Sequence, residues 1–155
     1  RASRPRPSSA TPGPSSPGHV RAYDARSGAI RWTFRTIPQP GEPGYETWDP
    51  DAIQYTGNTG VWAQMTVDEE LGIVYMPVEL PTGDYYGGHR HGSAKGPESS
   101  LYSESLLALD IKTGKLVWQK NLVQDYKATI PGWYAGQNPL LDGNTVVLAT
   151  GSRVL

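Results

Sequence analysis

Hydrophobic positions along this chain come in short runs broken by glycine turns. Leu107, Leu109 and Ile111 alternate with Ala108 and Asp110; Lys112-Thr113-Gly114 interrupts the run, and Leu116, Val117 and Trp118 resume it. Two apolar runs around a glycine-containing turn predict a β-hairpin. Within it Asp110 accepts hydrogen bonds from the backbone N–H groups of the turn, and Gly114 supplies a positive φ. Trp118 is then a large flat anchor on the second strand. The same phrase occurs upstream as Ala22-Tyr-Asp-Ala-Arg-Ser-Gly-Ala-Ile-Arg-Trp32, with Ala, Asp, Gly and Trp all 86 residues earlier. Strands are predicted there near 19–24 and 29–35, with Trp32 and Phe34 on one face and Thr33 and Arg35 on the other. A second kind of hairpin joins Val61–Val67 to Ile73–Val78 through the acidic turn Asp68-Glu-Glu-Leu-Gly72. Residues 73–78 are almost all apolar, the pattern of a strand buried on both faces. Strands near 102–110 and 115–121 follow. Asp142-Gly143-Asn144, between Leu140-Leu141 and Thr145–Ala149, signals one more hairpin turn.

An 86-residue recurrence is about twice the roughly 40–50 residues of one propeller blade. The predicted architecture is therefore all-β: a partial β-propeller of about two blades over 18–155. It comprises a half blade at 18–35, a full blade at 61–121 and the start of the next at 139–155. A small β-sandwich is the competing architecture, and the doubled phrase favours the propeller. Residues 1–17 are rich in Pro, Ser and Arg and are expected to form a disordered lead.

Composition adds to this picture by exclusion. Gly 18 and Pro 14 in 155 residues favour turns and short strands. No window of helical apolar period escapes Gly or Pro, which nearly excludes long helices. A net charge of −1 gives no electrostatic case for nucleic acid. With no Cys there is neither disulfide nor thiolate metal site. No apolar run is long enough for a membrane helix, and no signal peptide is visible. The first residue is Arg1 and the last strand is barely finished at Val154-Leu155, so both ends are expected to be cuts in a longer protein.

Candidate chemistry lies in the loops. Residues 36–54 hold Glu42, Glu46, Asp49 and Asp51, which offer a cation site or a solvated acidic loop. His89 and His91 stand two apart in the 80–100 loop; a metal pair is one use of that spacing, although no third ligand is evident. Tyr55-Thr-Gly-Asn-Thr-Gly-Val-Trp62 places two glycines before a Trp and marks a close backbone approach.

The Ala-x-Asp-x-(Lys/Arg)-(Thr/Ser)-Gly-x-x-x-Trp phrases resemble the tryptophan-docking motifs of eight-bladed quinoprotein propellers. From Gly18 to Val123 the likeness narrows. His19-Val-Arg-Ala-Tyr-Asp, Thr36-Ile-Pro-Gln-Pro-Gly-Glu, the Tyr55–Trp62 phrase, Asp68-Glu-Glu-Leu-Gly-Ile-Val-Tyr75 and Tyr86-Gly-Gly-His-Arg90 are similar to the membrane-bound, PQQ-dependent glucose and polyol dehydrogenases. That resemblance implies oxidation of a sugar or alcohol hydroxyl by pyrroloquinoline quinone (PQQ) beside a divalent cation, calcium or magnesium. It further implies a carboxylate base, electrons passed to ubiquinone, and a periplasmic, membrane-associated setting. Trp62 falls where the family has a Trp in the cofactor pocket, and blade packing is its alternative role. Trp32 and Trp118 match docking positions and are assigned to structure.

The departures bear on function. Asn121-Leu-Val-Gln-Asp-Tyr-Lys127 stands where the family carries its catalytic Asp phrase, and Asp125 lacks the surrounding motif, so it is not assigned as base. Ile130-Pro-Gly-Trp-Tyr-Ala-Gly-Gln-Asn-Pro139 looks more like the quinoprotein-like repeat proteins that need not bind PQQ. The expected function is thus a portion of a PQQ-dependent dehydrogenase, inactive alone and self-associating through open blade faces. The alternative is a non-catalytic propeller scaffold, like the outer-membrane assembly lipoprotein that shares the docking repeat.

Overall fold

The computed structural model describes residues 18–48, 59–79, 101–128, 138–150 and 153–154. The expected lead at 1–17, the acids Asp49 and Asp51, and the histidines His89 and His91 lie outside the described residues. What is described is antiparallel β-structure with two short helical pieces. β1 (Val20–Tyr23) pairs with β2 (Ile30–Phe34). β3 (Thr66–Asp68), β4 (Ile73–Val78), β5 (Ser105–Asp110) and β6 (Leu116–Asn121) form one sheet in sequence order. β7 (Leu140–Asp142) pairs with β8 (Thr145–Val147), and β9 (Ala149–Thr150) with β10 (Arg153–Val154). A single 3-10 turn covers Tyr45–Thr47, and α1 covers Leu122–Tyr126.

The four-stranded sheet is apolar on both faces because its middle strands are. Val74, Tyr75, Met76 and Val78 on β4 and Leu106–Leu109 on β5 are all buried. Alternation then separates two cores. One face presents Val74, Met76, Val78, Leu107 and Leu109 to Val20, Trp32 and Phe34 of the β1–β2 hairpin. The other presents Tyr75, Leu106 and Ala108 to Leu141, Val146 and Leu148 around β7–β8. Three sheets thus stack face to face, each hairpin covering apolar area that water would otherwise reach. This is a partial β-propeller.

The doubled hairpin turns are built alike. The Asp110 carboxylate accepts from the N–H groups of Lys112 (3.1 Å) and Thr113 (2.8 Å) and from the Thr113 hydroxyl (2.8 Å). Asp24 does the same with Arg26 N–H (3.1 Å), Ser27 N–H (2.9 Å) and the Ser27 hydroxyl (2.9 Å). Those donors hold both carboxyls below their ordinary value: the Thr113 hydroxyl foremost for Asp110, the Ser27 N–H foremost for Asp24.

Trp32 sits on the Asp110–Gly114 turn. Its Nε1–H donates to the Ile111 carbonyl at 2.9 Å. Its ring lies so close over Gly114 that a Cβ there would fall 2.6 Å from Trp32 Cδ2. Gly114 is at φ +70°, so glycine is required twice over, for conformation and for room. Trp118 is partly buried against Tyr75, with ring centroids 5.7 Å apart.

Three elements differ from the sequence expectation. The strand expected from Val61 begins at Thr66. Before it the backbone N–H of Gln64 donates to the Asn138 side chain, and the Thr66 hydroxyl donates to the Pro139 carbonyl, so this stretch bonds to the next unit's entry. The strand expected from Tyr102 begins at Ser105, because Tyr102 (φ 73°) and Glu104 (φ 47°) are left-handed and cannot extend a ladder. Helix α1 was not expected. It exists because Asn121 caps it, accepting from Val123 N–H (3.0 Å) and Gln124 N–H (2.8 Å).

Candidate functional site

The four-stranded sheet has two dissimilar ends. At one end lie the tight turns 68–73 and 110–115. At the other, Val78 faces Ser105 and Ser105 faces Asn121. The segment bearing Trp62 joins this second, open end, since Glu79 N–H donates to the Gly60 carbonyl at 3.0 Å. The chain segments 49–58, 80–100 and 129–137 all connect to described residues at this same end. Local order there rests on short polar contacts. Ser105 Oγ donates to the Ser103 carbonyl (2.9 Å), Asn121 Nδ2 donates to the same carbonyl (3.2 Å), and Gln119 Nε2 donates to Ser105 Oγ (3.0 Å).

Trp62 is 79% exposed. The docked indole of Trp32 is partly buried and Trp48 is buried; among the described residues the Trp62 ring takes part in neither hydrophobic core. Its segment joins the end of the sheet that carries Val78, Ser105 and Asn121.

Asp125, the carboxylate nearest the place where a base was sought, is already engaged. Its Oδ2 accepts from the Asn121 N–H at 3.0 Å, reciprocating the cap that Asn121 gives to α1. Glu42 is also engaged: it pairs with Arg35 and accepts from Gln39 N–H at 2.8 Å. Among the described residues no group of three His, Cys, Asp or Glu side chains stands together as a metal site.

The structure also gathers residues that the sequence did not single out. Gly18 and His19 begin β1 at its open end, and Gly18 packs on Thr59, where an added Cβ would fall 2.9 Å from the Thr59 carbonyl. His19 Nε2, Thr59 Oγ1 and Trp48 Nε1 are buried polar atoms with no hydrogen-bond partner. Burial holds the His19 pKa below its ordinary value, with Arg21 and Arg35 acting in the same direction and Glu42 opposing them. The one signal in the sequence was that His19 and Thr59 fall inside phrases that carry the family resemblance.

A stack of antiparallel sheets in which the Trp of one hairpin docks on the turn of the next sheet defines a partial β-propeller. Comparison with known proteins fixes the family. The model of the glucose/ethanol/alcohol dehydrogenase β-propeller domain, a PQQ family, matches residues 7–126. The chain belongs to this family of PQQ-dependent dehydrogenase propellers. It is 34% identical over 108 residues to the quinate/shikimate dehydrogenase (quinone) of Acinetobacter baylyi, covering 70% of this chain and 12% of that relative. To the quinoprotein glucose dehydrogenase of Escherichia coli it is 35% identical over 112 residues, covering 68% of this chain and 12% of the relative. The solved quinohemoprotein alcohol dehydrogenase ADHIIG of Pseudomonas putida superposes with a TM-score of 0.60 at 25% identity, over 92% of this chain and 22% of that one. The chain thus spans about an eighth of the length of the curated relatives it matches.

Proposed function

We propose that this chain is a portion of a dehydrogenase that oxidises a sugar or alcohol hydroxyl, with Trp62 as the stacking platform for PQQ. The observation that carries the reading is the exposed indole of Trp62 at the open end of a blade in a PQQ family. A planar indole suits a planar quinone, and stacking adds about 0.5–1.5 kcal/mol beyond area burial. When bound, PQQ supplies the electron-accepting carbonyl chemistry, and the protein supplies position and electrostatics. A calcium or magnesium ion beside the cofactor, a quinone as final acceptor and a periplasmic, membrane-associated setting belong to the same reading. The quinone is supported by the relative whose name specifies it. Within this reading 18–35, 61–121 and 139–155 are a half blade, a blade and the start of the next, and copies associate through uncovered blade faces.

The chain alone is expected to be inactive, because Asn121–Lys127 stands where the family carries its catalytic Asp phrase and Asp125 is held in the α1 cap. That same observation favours a second reading, a non-catalytic propeller scaffold. Titration of PQQ into the chain, followed by tryptophan fluorescence, separates them. On the first reading PQQ binds weakly, and Trp62→Ala lowers that binding further while melting stays unchanged. Equal binding by the parent and Trp62→Ala returns Trp62 to a role without cofactor. Dye reduction above a buffer control, with PQQ, calcium and glucose supplied, would refute inactivity.

A further inference from the structure

Two consecutive peptide units just ahead of Trp62 are held between two sheets. The first joins Thr59 to Gly60, and Gly18 lies against it. A Cβ on Gly18 would fall 2.9 Å from both the carbonyl carbon and the carbonyl oxygen of Thr59, and 3.2 Å from the Gly60 nitrogen. All three are backbone atoms, which have no side-chain rotation with which to give way. The second unit joins Gly60 to Val61, and its carbonyl accepts from Glu79 N–H at 3.0 Å. Gly18 stands just before β1 of one sheet, and Glu79 follows β4 of the next.

The seat is closed on its other sides. Thr36 and Thr59 are both fully buried, and Thr36 Oγ1 donates to the Gly18 carbonyl at 3.3 Å. Gly18 is at φ +65°, a backbone that glycine adopts without strain. Val61 packs on the core of Val74, Met76 and Leu107. Residues 59–61 are thus fixed by a steric contact, a hydrogen bond and an apolar anchor, none of which uses the Trp62 ring. That ring joins neither core among the described residues, so its direction is set by the backbone that carries it.

We infer that Gly18 is a positioning residue for Trp62. The close approach that glycine permits seats the Thr59–Gly60 unit at the start of β1, and the seat fixes the direction in which the indole leaves the chain. Toward the cofactor, this rests on the reading of Trp62 as the stacking platform. Stacking needs the ring plane held against the quinone, and a platform on an unsecured segment loses affinity to the entropy of ordering it. A side chain at position 18 pushes the Thr59–Gly60 unit away, and the ring two residues further on turns with it. Gly28 supplies the comparison. It is at φ +70°, with nothing among the described residues within 4 Å of its Cβ position, so alanine there carries the backbone strain without the contact.

The test is fluorine NMR of the 155-residue chain labelled with fluorotryptophan, the Trp62 resonance being identified by its loss in Trp62→Phe. Circular dichroism shows which variants are folded. Gly18→Ala is expected to shift the Trp62 resonance, and Gly28→Ala to leave it in place; a glycine that served stability alone would move it in neither. Thr36→Val removes the hydroxyl that donates to Gly18 and keeps the buried volume. It is expected to shift the same resonance by less, and it decides the matter where Gly18→Ala does not fold. In PQQ titrations of the same samples, Gly18→Ala is expected to raise the dissociation constant by up to about tenfold, the worth of the stacking contact itself. A Trp62 resonance unmoved in every folded variant at positions 18 and 36, or moved equally by Gly28→Ala, overturns the inference. Equal PQQ binding by the parent and Trp62→Ala overturns the stacking reading alone and leaves the resonance to decide the positioning of the ring. Binding weakened by Trp62→Ala but unchanged in folded Gly18→Ala overturns the positioning role toward the cofactor.

Discussion

Replacing Trp32 with Ala tests the docking contact that joins the first two sheets. The ring is partly buried, lies over Gly114 and packs on the core of Val74, Met76, Leu107 and Leu109. A well-buried Trp removes about 150–250 Å² from water. Taking about 100–120 Å² for this partly covered ring, at about 25 cal/mol per Å², gives about 3 kcal/mol. The hydrogen bond from Nε1 to the Ile111 carbonyl adds about 1 kcal/mol net. The cavity contribution is small because the site lies at the edge of the blade and water refills it. Trp32→Ala is therefore expected to cost about 3–4 kcal/mol, and Trp32→Phe about 1–1.5 kcal/mol, since Phe keeps most of the area and loses the N–H. Urea unfolding, measured by circular dichroism at a concentration where the chain is monomeric, gives both numbers. With a slope of about 2 kcal/mol/M, the midpoint for Trp32→Ala falls by about 1.5–2 M. A cost below about 1 kcal/mol for Trp32→Ala would refute the docking role. A cost for Trp32→Phe equal to that for Trp32→Ala would assign the contact to the hydrogen bond instead of the ring.

Gly114→Ala should destabilise by about 2 kcal/mol more than Gly28→Ala in the same assay, since both residues carry the left-handed strain but only the Gly114 methyl meets an indole; equal costs would contradict the geometry. Asn121→Ala should cost about 1 kcal/mol through loss of the α1 cap, read as a fall in melting temperature, and Asp125→Asn should cost less. Asp110 has a depressed folded pKa, so its carboxylate stabilises the fold above the ordinary value of 3.8 and that contribution is lost as pH falls through the lower folded value. The stability gap between the parent and Asp110→Asn should thus close on acidification from pH 7, and a gap that widens would reverse the sign argued here.

What the sequence determined by itself is local. The alternation of Leu107, Leu109 and Ile111 and the Asp110–Gly114 turn encode a hairpin within a dozen residues, because a carboxylate two and three positions from the N–H groups it caps needs no distant partner. The unbroken apolar run Ile73–Val78 likewise announced a strand covered on both sides, and it is. Recurrence at 86 residues then made the stacked-sheet class legible. The tertiary structure decided which surfaces meet. That Trp32 reaches a carbonyl 79 residues later follows from the stacking of two sheets, and no periodicity records it. The same holds for Val61–Met65, whose residues are apolar enough for a strand but whose neighbourhood binds Asn138 and Pro139. The left-handed backbone at Tyr102 and Glu104 and the engagement of Asp125 by Asn121 also arise only in three dimensions. Trp62 illustrates the division most clearly. Its sequence is equally suited to packing or to cofactor stacking; its exposure is set by the surrounding fold and not by one residue's identity, and the stacking role is the reading proposed above.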